Sequence, residues 1–154
     1  MTIRLMTPFD QTRSLGHLTG LAGRLFNTLL TRRFAAAGID MTAEQWGVVV
    51  LLLNHHTMTQ RELVEALYLD KSSVSRSIKG MEKRGWVISR PGEDDARQRW
   101  VSLSPEAQSV AERCAEIANS VLRDAQQGIT DADLSDSLDG LSAVITNLRN
   151  LNQA

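Results

Sequence analysis

The feature that most constrains this 154-residue chain is a change of period just past its middle. Up to Arg84 the apolar residues step by three and four, the spacing that lines one face of a helix. Two short β-favouring runs follow, Trp86-Val87-Ile88-Ser89-Arg90 and Arg99-Trp100-Val101-Ser102-Leu103. Between them lies the polar, turn-rich stretch Pro91-Gly92-Glu93-Asp94-Asp95. This pattern predicts a β-hairpin with a long exposed loop, set into an otherwise helical chain. The expected fold class is mainly α with one small hairpin.

The helices announce themselves by their ends. Leu15, Leu18, Ala22, Leu25 and Leu29, with Phe26, Leu30 and Phe34 alongside, predict a long helix over about 10–37, closed by Gly38. Thr42-Ala43-Glu44-Gln45 is a capping box that starts a second helix, running to about Asn54. Thr59-Gln60-Arg61-Glu62 starts a third, which buries Leu63, Val64 and Leu67. A fourth spans about Lys71 to Arg84, with Asp70 as its cap and Gly85 as its stop. After the hairpin, Ser104-Pro105-Glu106 opens a fifth helix and Thr130 a sixth. Their stripes, Ala107/Val110/Cys114/Ile117/Val121 and Leu134/Leu138/Leu141/Ile145/Leu148, have the spacing of helix–helix seams. They carry more apolar surface than the central lobe could cover, which points to a second copy of the chain. An intramolecular bundle is the other way to bury them.

Composition bears on partners. Lys plus Arg total 17 and Asp plus Glu 18, a net charge of −1, which excludes a histone-like cation. The balance hides an asymmetry. Residues 105–154 hold three basic and eight acidic groups, whereas Lys71 to Arg84 holds five basic residues against Glu82 alone. One strongly cationic helix in an acidic protein directs attention to nucleic acid.

On a helical wheel, Val74, Ile78 and Met81 form the inner face of that helix, and Ser72, Arg76, Lys79 and Lys83 gather opposite, flanked by Ser73 and Ser75. Short hydroxyls near the helix N-terminus can approach bases or phosphates, and arginine suits bidentate reading of guanine. A solvated charged face is the plain alternative. The neighbouring elements favour DNA: a short helix, a tight turn, a cationic helix and a hairpin make a winged helix-turn-helix. Arg90, Arg97 and Arg99 at the base and flank of the loop would serve the wing. Asp95, two residues before Arg97, is placed to hold that guanidinium.

Two stretches resemble a known family. Asp70-Lys71-Ser72-Ser73-Val74-Ser75-Arg76-Ser77-Ile78-Lys79-Gly80-Met81-Glu82-Lys83-Arg84-Gly85-Trp86-Val87 is similar to the recognition helix and first wing strand of MarR (multiple antibiotic resistance regulator) proteins. Asp95-Ala96-Arg97-Gln98-Arg99-Trp100-Val101-Ser102-Leu103-Ser104 resembles that family's wing signature, an Asp-x-Arg followed by a strand ending Leu-Ser or Leu-Thr. The resemblance extends over nearly the whole chain and treats residues 1–154 as one domain. It implies a DNA-binding lobe at 42–104 and dimerisation helices at 10–37 and 105–151. It also implies a homodimeric repressor of palindromic operators, released by small phenolic or otherwise apolar acids bound between the dimer region and the DNA lobe. DNA contacts are expected from Ser72, Ser73, Ser75, Arg76, Lys79, Lys83, Arg97 and Arg99, with Asp95 orienting Arg97. His17, Met41 and Trp46 are the candidates for an effector cavity, core packing being the other reading of each.

Other function classes find little support. His17, His55 and His56 show no metal-ligand spacing, and the fifth helix lacks the histidine pair of metal-sensing relatives, so neither metal nor cofactor is expected. Cys114, the one cysteine, lies on an apolar stripe, whereas peroxide-sensing relatives carry theirs in the first helix. No glycine-rich phosphate loop, nucleophile elbow or catalytic carboxylate pair points to an enzyme. The longest apolar run, Trp46 to Leu53, is far too short to span a bilayer, and Met1 to Asp10 lacks the apolar block of a signal peptide. A cytoplasmic protein without a membrane partner is expected. The main contrast is a winged helix used only for protein–protein contact, which the cationic face disfavours because such a surface has an apolar centre.

Overall fold

Side-chain caps set where the helices start. A computed structural model describes residues 10–153, which contain a 3-10 turn, six α-helices and a three-stranded sheet. Asp10 caps the 3-10 turn Gln11–Arg13, and Ser14 then caps α1 (Leu15–Ala36), its hydroxyl accepting from the His17 N–H. The first helix therefore starts at Leu15 rather than near residue 10, because extended backbone at Ser14 separates it from the turn. Thr42 and Gln45 form the reciprocal capping box of α2 (Ala43–His55) at 3.0 and 3.1 Å. The Thr59 hydroxyl accepts from the Glu62 N–H at 3.0 Å to start α3 (Gln60–Leu67). Asp70 starts α4 (Lys71–Lys83), and Gly85 stops it at φ +73°. The fifth helix, α5, becomes regular only at Ala107 and runs to Ala125; Ser104 and Pro105 form the turn before it, the Ser104 hydroxyl accepting from the Ala107 N–H at 3.1 Å. Thr130 caps α6 (Asp131–Asn152).

The hairpin gains a strand that local sequence did not suggest. β2 (Val87–Pro91) and β3 (Arg99–Leu103) pair antiparallel, with Ser89 opposite Val101. β1 (Thr57–Thr59) then adds to the other side of β3, giving the order β1-β3-β2 with Met58 opposite Val101. Three residues are too few to show a period, and this pairing spans over 40 positions of sequence. Thr59 both ends the strand and caps α3.

The described residues divide into two compact units, the first ending at Ala118 and the second beginning at Asn119. In the first unit, α4 packs on α2, α3 and β2, and α2 also meets β3. Phe34, Val48, Leu52, Leu63, Val74, Ile78, Met81 and Val101 are each at most 2% exposed there. The Phe34 and Trp46 rings meet edge-on, with centroids 5.9 Å apart. In α5, Ala107, Ala111, Cys114 and Val121 are buried, so Ala111 takes the place on the stripe that spacing gives to Val110. In the second unit, Leu138, Ile145, Leu148 and Leu151 of α6 remain exposed. Leu15, Leu18, Leu25 and Phe26 of α1, in the first unit, are exposed as well.

Candidate nucleic-acid interface

The turn between α3 and α4 is tight because Tyr68 adopts the left-handed conformation (φ +51°) and its N–H bonds back to the Val64 carbonyl. Only Leu69 and Asp70 then separate it from α4. The wheel assignment of α4 holds residue by residue. Val74, Ile78 and Met81 are at most 2% exposed, while Ser72, Arg76, Lys79 and Lys83 face solvent and Ser73 and Ser75 are half-buried between them. One polar contact and one close approach that the wheel did not reveal fix the inner face. Ser77 is buried and donates to the Glu44 carboxylate of α2 at 3.3 Å. Gly80 lies so close to α2 that a Cβ there would sit 3.0 Å from Gln45 Nε2.

The N-terminal end of α4 carries a chain of hydrogen bonds. Asp70 accepts from the Ser73 N–H at 2.6 Å and from the Ser73 hydroxyl at 3.0 Å, and that hydroxyl oxygen accepts from Arg76 Nη2 at 3.4 Å. The Ser73 N–H, its hydroxyl and the nearby Arg76 charge hold the Asp70 carboxyl below its ordinary pKa. At the other end of the helix, Arg84 departs from the cationic face. Its guanidinium binds the carbonyl and carboxylate of Asp40 and lies over the Trp86 ring at 5.1 Å. Of the five basic residues in this segment, Arg84 thus serves to fix the helix end.

The wing is built on a glycine. Gly92 is buried, its N–H donates to the Gln98 carbonyl at 3.0 Å, and a Cβ there would meet the Asp95 carbonyl oxygen at 2.6 Å. The loop thus turns back on itself and brings Asp95 beside Arg97. Asp95 Oδ1 accepts from the Arg97 backbone N–H at 3.0 Å and from Nε at 3.2 Å, and Oδ2 accepts from Nη2 at 3.4 Å. These bonds keep the Asp95 carboxyl below its ordinary pKa, the backbone N–H contributing most. The Arg97 side chain is 92% exposed.

Arg97 and Arg99 of the wing face Gln60, Arg61 and Val64 of α3 and Lys71 of α4 across a concavity of about 530 Å³. No acid lines it, although Arg61 also pairs with Glu65 at 3.4 Å. Arg61 and Lys71 were not assigned to the site from sequence. The charge tally at Lys71 was the available hint, but only folding places α3 opposite the wing.

A model described as the MarR family matches residues 39–98. An uncharacterised HTH-type transcriptional regulator of Bacillus subtilis, YwoH, is 33% identical over 96 residues, covering 62% of this chain and 68% of its own length. The chain belongs to the MarR family. The organic hydroperoxide resistance transcriptional regulator of the same organism is 28% identical over 115 residues, 75% of each chain. The MarR fold extends further than the sequence match. A mutant MarR from E. coli, crystallised with operator DNA, superposes with a TM-score of 0.76 over 89% of this chain and 97% of its own, at 22% identity.

Within this MarR frame the remaining candidates scatter. His17 is exposed on α1, Met41 is 3% exposed in the core, and Trp46 is half-buried against Phe34. The 340 Å³ concavity that Met41 lines also has Thr31, Ala35, Gly38, Ile39 and Asp40, but neither His17 nor Trp46. The structure does not bring the three together. Cys114 is fully buried, and burial pushes its thiol pKa up, which keeps it in the unreactive protonated form. His55 and His56 are exposed, and His56 ends α2 at φ +66°. Among the described residues no helix is long and apolar enough to cross a membrane.

Proposed function

We propose that this MarR-family chain is a DNA-binding transcriptional repressor that reads a palindromic operator as a homodimer. The observation that carries the reading is the outward face of α4. Arg76, Lys79 and Lys83 project from a helix whose opposite face is fully buried, with no acid among them and no apolar centre. Such a helix enters the major groove, where Arg76 and Lys79 reach base edges and the hydroxyls of the first turns lie near the backbone. Arg97 and Arg99 extend the contact from the wing. Residues 42–104 form the DNA lobe in this reading, and 10–37 with 105–151 the dimerisation helices. The exposed leucines of α1 and α6 support the second assignment. The two recognition helices then address half-sites about 10 base pairs apart. Relief of repression by a small apolar or phenolic acid is the corresponding expectation for regulation.

Two substitutions test the interface. Arg76→Ala is expected to cost about 1–3 kcal/mol on an operator selected from genomic fragments by the purified protein, and to relax preference at one position per half-site. Unchanged affinity on operator and random duplex alike would remove α4 from the interface. Asp95→Ala is expected to weaken operator binding about tenfold although it adds positive charge, because Arg97 loses its orientation. If the pair were an incidental surface contact, the added charge would tighten binding at low salt, and fluorescence anisotropy at two salt concentrations distinguishes these outcomes.

A further inference from the structure

From the hydrogen-bond chain at the start of α4 we infer that Ser73 is a positioning residue for Arg76, relaying the orientation of Asp70 to the guanidinium, and is not itself a DNA contact. The inference rests on the DNA-binding reading and reassigns Ser73 within it. A serine hydroxyl has one proton to donate. Ser73 directs that proton to Asp70 Oδ2 at 3.0 Å, while its N–H occupies Oδ1 at 2.6 Å. A phosphate oxygen or a guanine acceptor requires a donor, and this one is already committed to a carboxylate, a stronger acceptor than a neutral base atom. What Ser73 has left is lone pairs, and Arg76 Nη2 lies against them at 3.4 Å. The hydroxyl is therefore polarised by Asp70 and presented to Arg76 as an acceptor.

The consequence for recognition is geometric. A guanidinium offers five N–H donors in a rigid fork, and bidentate reading of a base edge needs the plane of that fork set in advance. Anchoring one Nη2 proton on Ser73 limits rotation of the Arg76 side chain and leaves the other donors directed away from the helix. The wing uses the same device without an intermediary, Asp95 holding Arg97 directly. Two of the three arginines proposed to touch DNA, Arg76 and Arg97, are thus aimed by an acid that caps or turns the preceding backbone. In α4 the acid must act through a hydroxyl, because Asp70 lies six positions from Arg76.

The test compares Ser73→Ala, Ser73→Thr, Arg76→Ala and the double variant Ser73→Ala/Arg76→Ala, with circular dichroism to confirm that α4 stays folded. The backbone N–H that Asp70 caps survives in all of them. Ser73→Ala is expected to lower the preference for operator over random duplex about tenfold, and Ser73→Thr, which keeps the hydroxyl, to recover most of it. In the Arg76→Ala background the same Ser73→Ala change is expected to have no further effect. An equal loss with and without Arg76, or a fall of the same size on both duplexes with a shallower salt dependence, would make Ser73 a direct contact and overturn the relay. A readout without DNA keeps this separate from the proposed function. Rotation of the Arg76 guanidinium, followed by arginine-selective 15N NMR, is expected to be faster in Ser73→Ala than in the parent chain. Equal rates would overturn the relay whatever the chain binds.

Discussion

Aspartates introduced at Ile145 and Leu148 are expected to leave a folded chain that is monomeric at micromolar concentration, where the proposed parent is a dimer, and that binds operator DNA about a hundredfold or more weakly. Both side chains lie on α6 with relative exposures of 46% and 51%, beside Leu138 at 54% and Leu151 at 70%. A charge there has little to disturb within a single chain. In a dimer the same charges would enter an apolar seam, where an unpaired carboxylate costs several kcal/mol. The loss on DNA would exceed the loss of any single contact. Two linked recognition helices bind with a high effective concentration, worth about 10²–10⁴ in affinity, and a monomer forfeits all of it. Light scattering and operator titration are the measurements. A double variant that remains dimeric would move the interface off α6, and a dimeric variant with wild-type operator affinity would remove this face from function altogether.

Phe34→Ala is expected to destabilise the chain by about 3–5 kcal/mol in urea denaturation, enough to threaten folding of an ordinary domain. Phe34 is fully buried near the end of α1, and its ring meets the edge of Trp46 of α2. Truncation loses both the transfer energy of the ring and the aromatic contact, and it leaves a cavity. It lies before the loop in which Asp40 holds Arg84 at the end of α4. A cost below about 1 kcal/mol would mean that this part of the core can collapse around the gap, and that α1 contributes little to the lobe that carries α4.

Much of this architecture could be read directly from the chain because its determinants are local. Thr42, Thr59, Asp70 and Thr130 cap the N–H three residues on, so a four-residue window contains the whole interaction. The division of α4 into a buried and a cationic face follows from helical geometry alone. The Asp95–Arg97 pair spans two residues, and its geometry was accessible for the same reason. The sequence by itself thus determined the order of the helices, the presence of a hairpin and the face that α4 presents. These depend on the rotation per residue and on hydrogen bonds between near neighbours.

Tertiary structure decided the rest. β1 exists because β3 offers it an edge, and Thr57-Met58-Thr59 alone has no strand period. The Ser77–Glu44 bond and the Arg84–Asp40 clamp join residues 33 and 44 positions apart, so nothing in the composition of α4 separates a clamping arginine from a DNA-facing one. The basic concavity forms only when α3 is folded opposite the wing, which draws Arg61 and Lys71 beside Arg97 and Arg99. The helical wheel shows where a side chain points on its own helix. What it meets there depends on how distant segments pack, and that is set by burial of Phe34, Val74, Met81 and their neighbours in a common core rather than by local sequence.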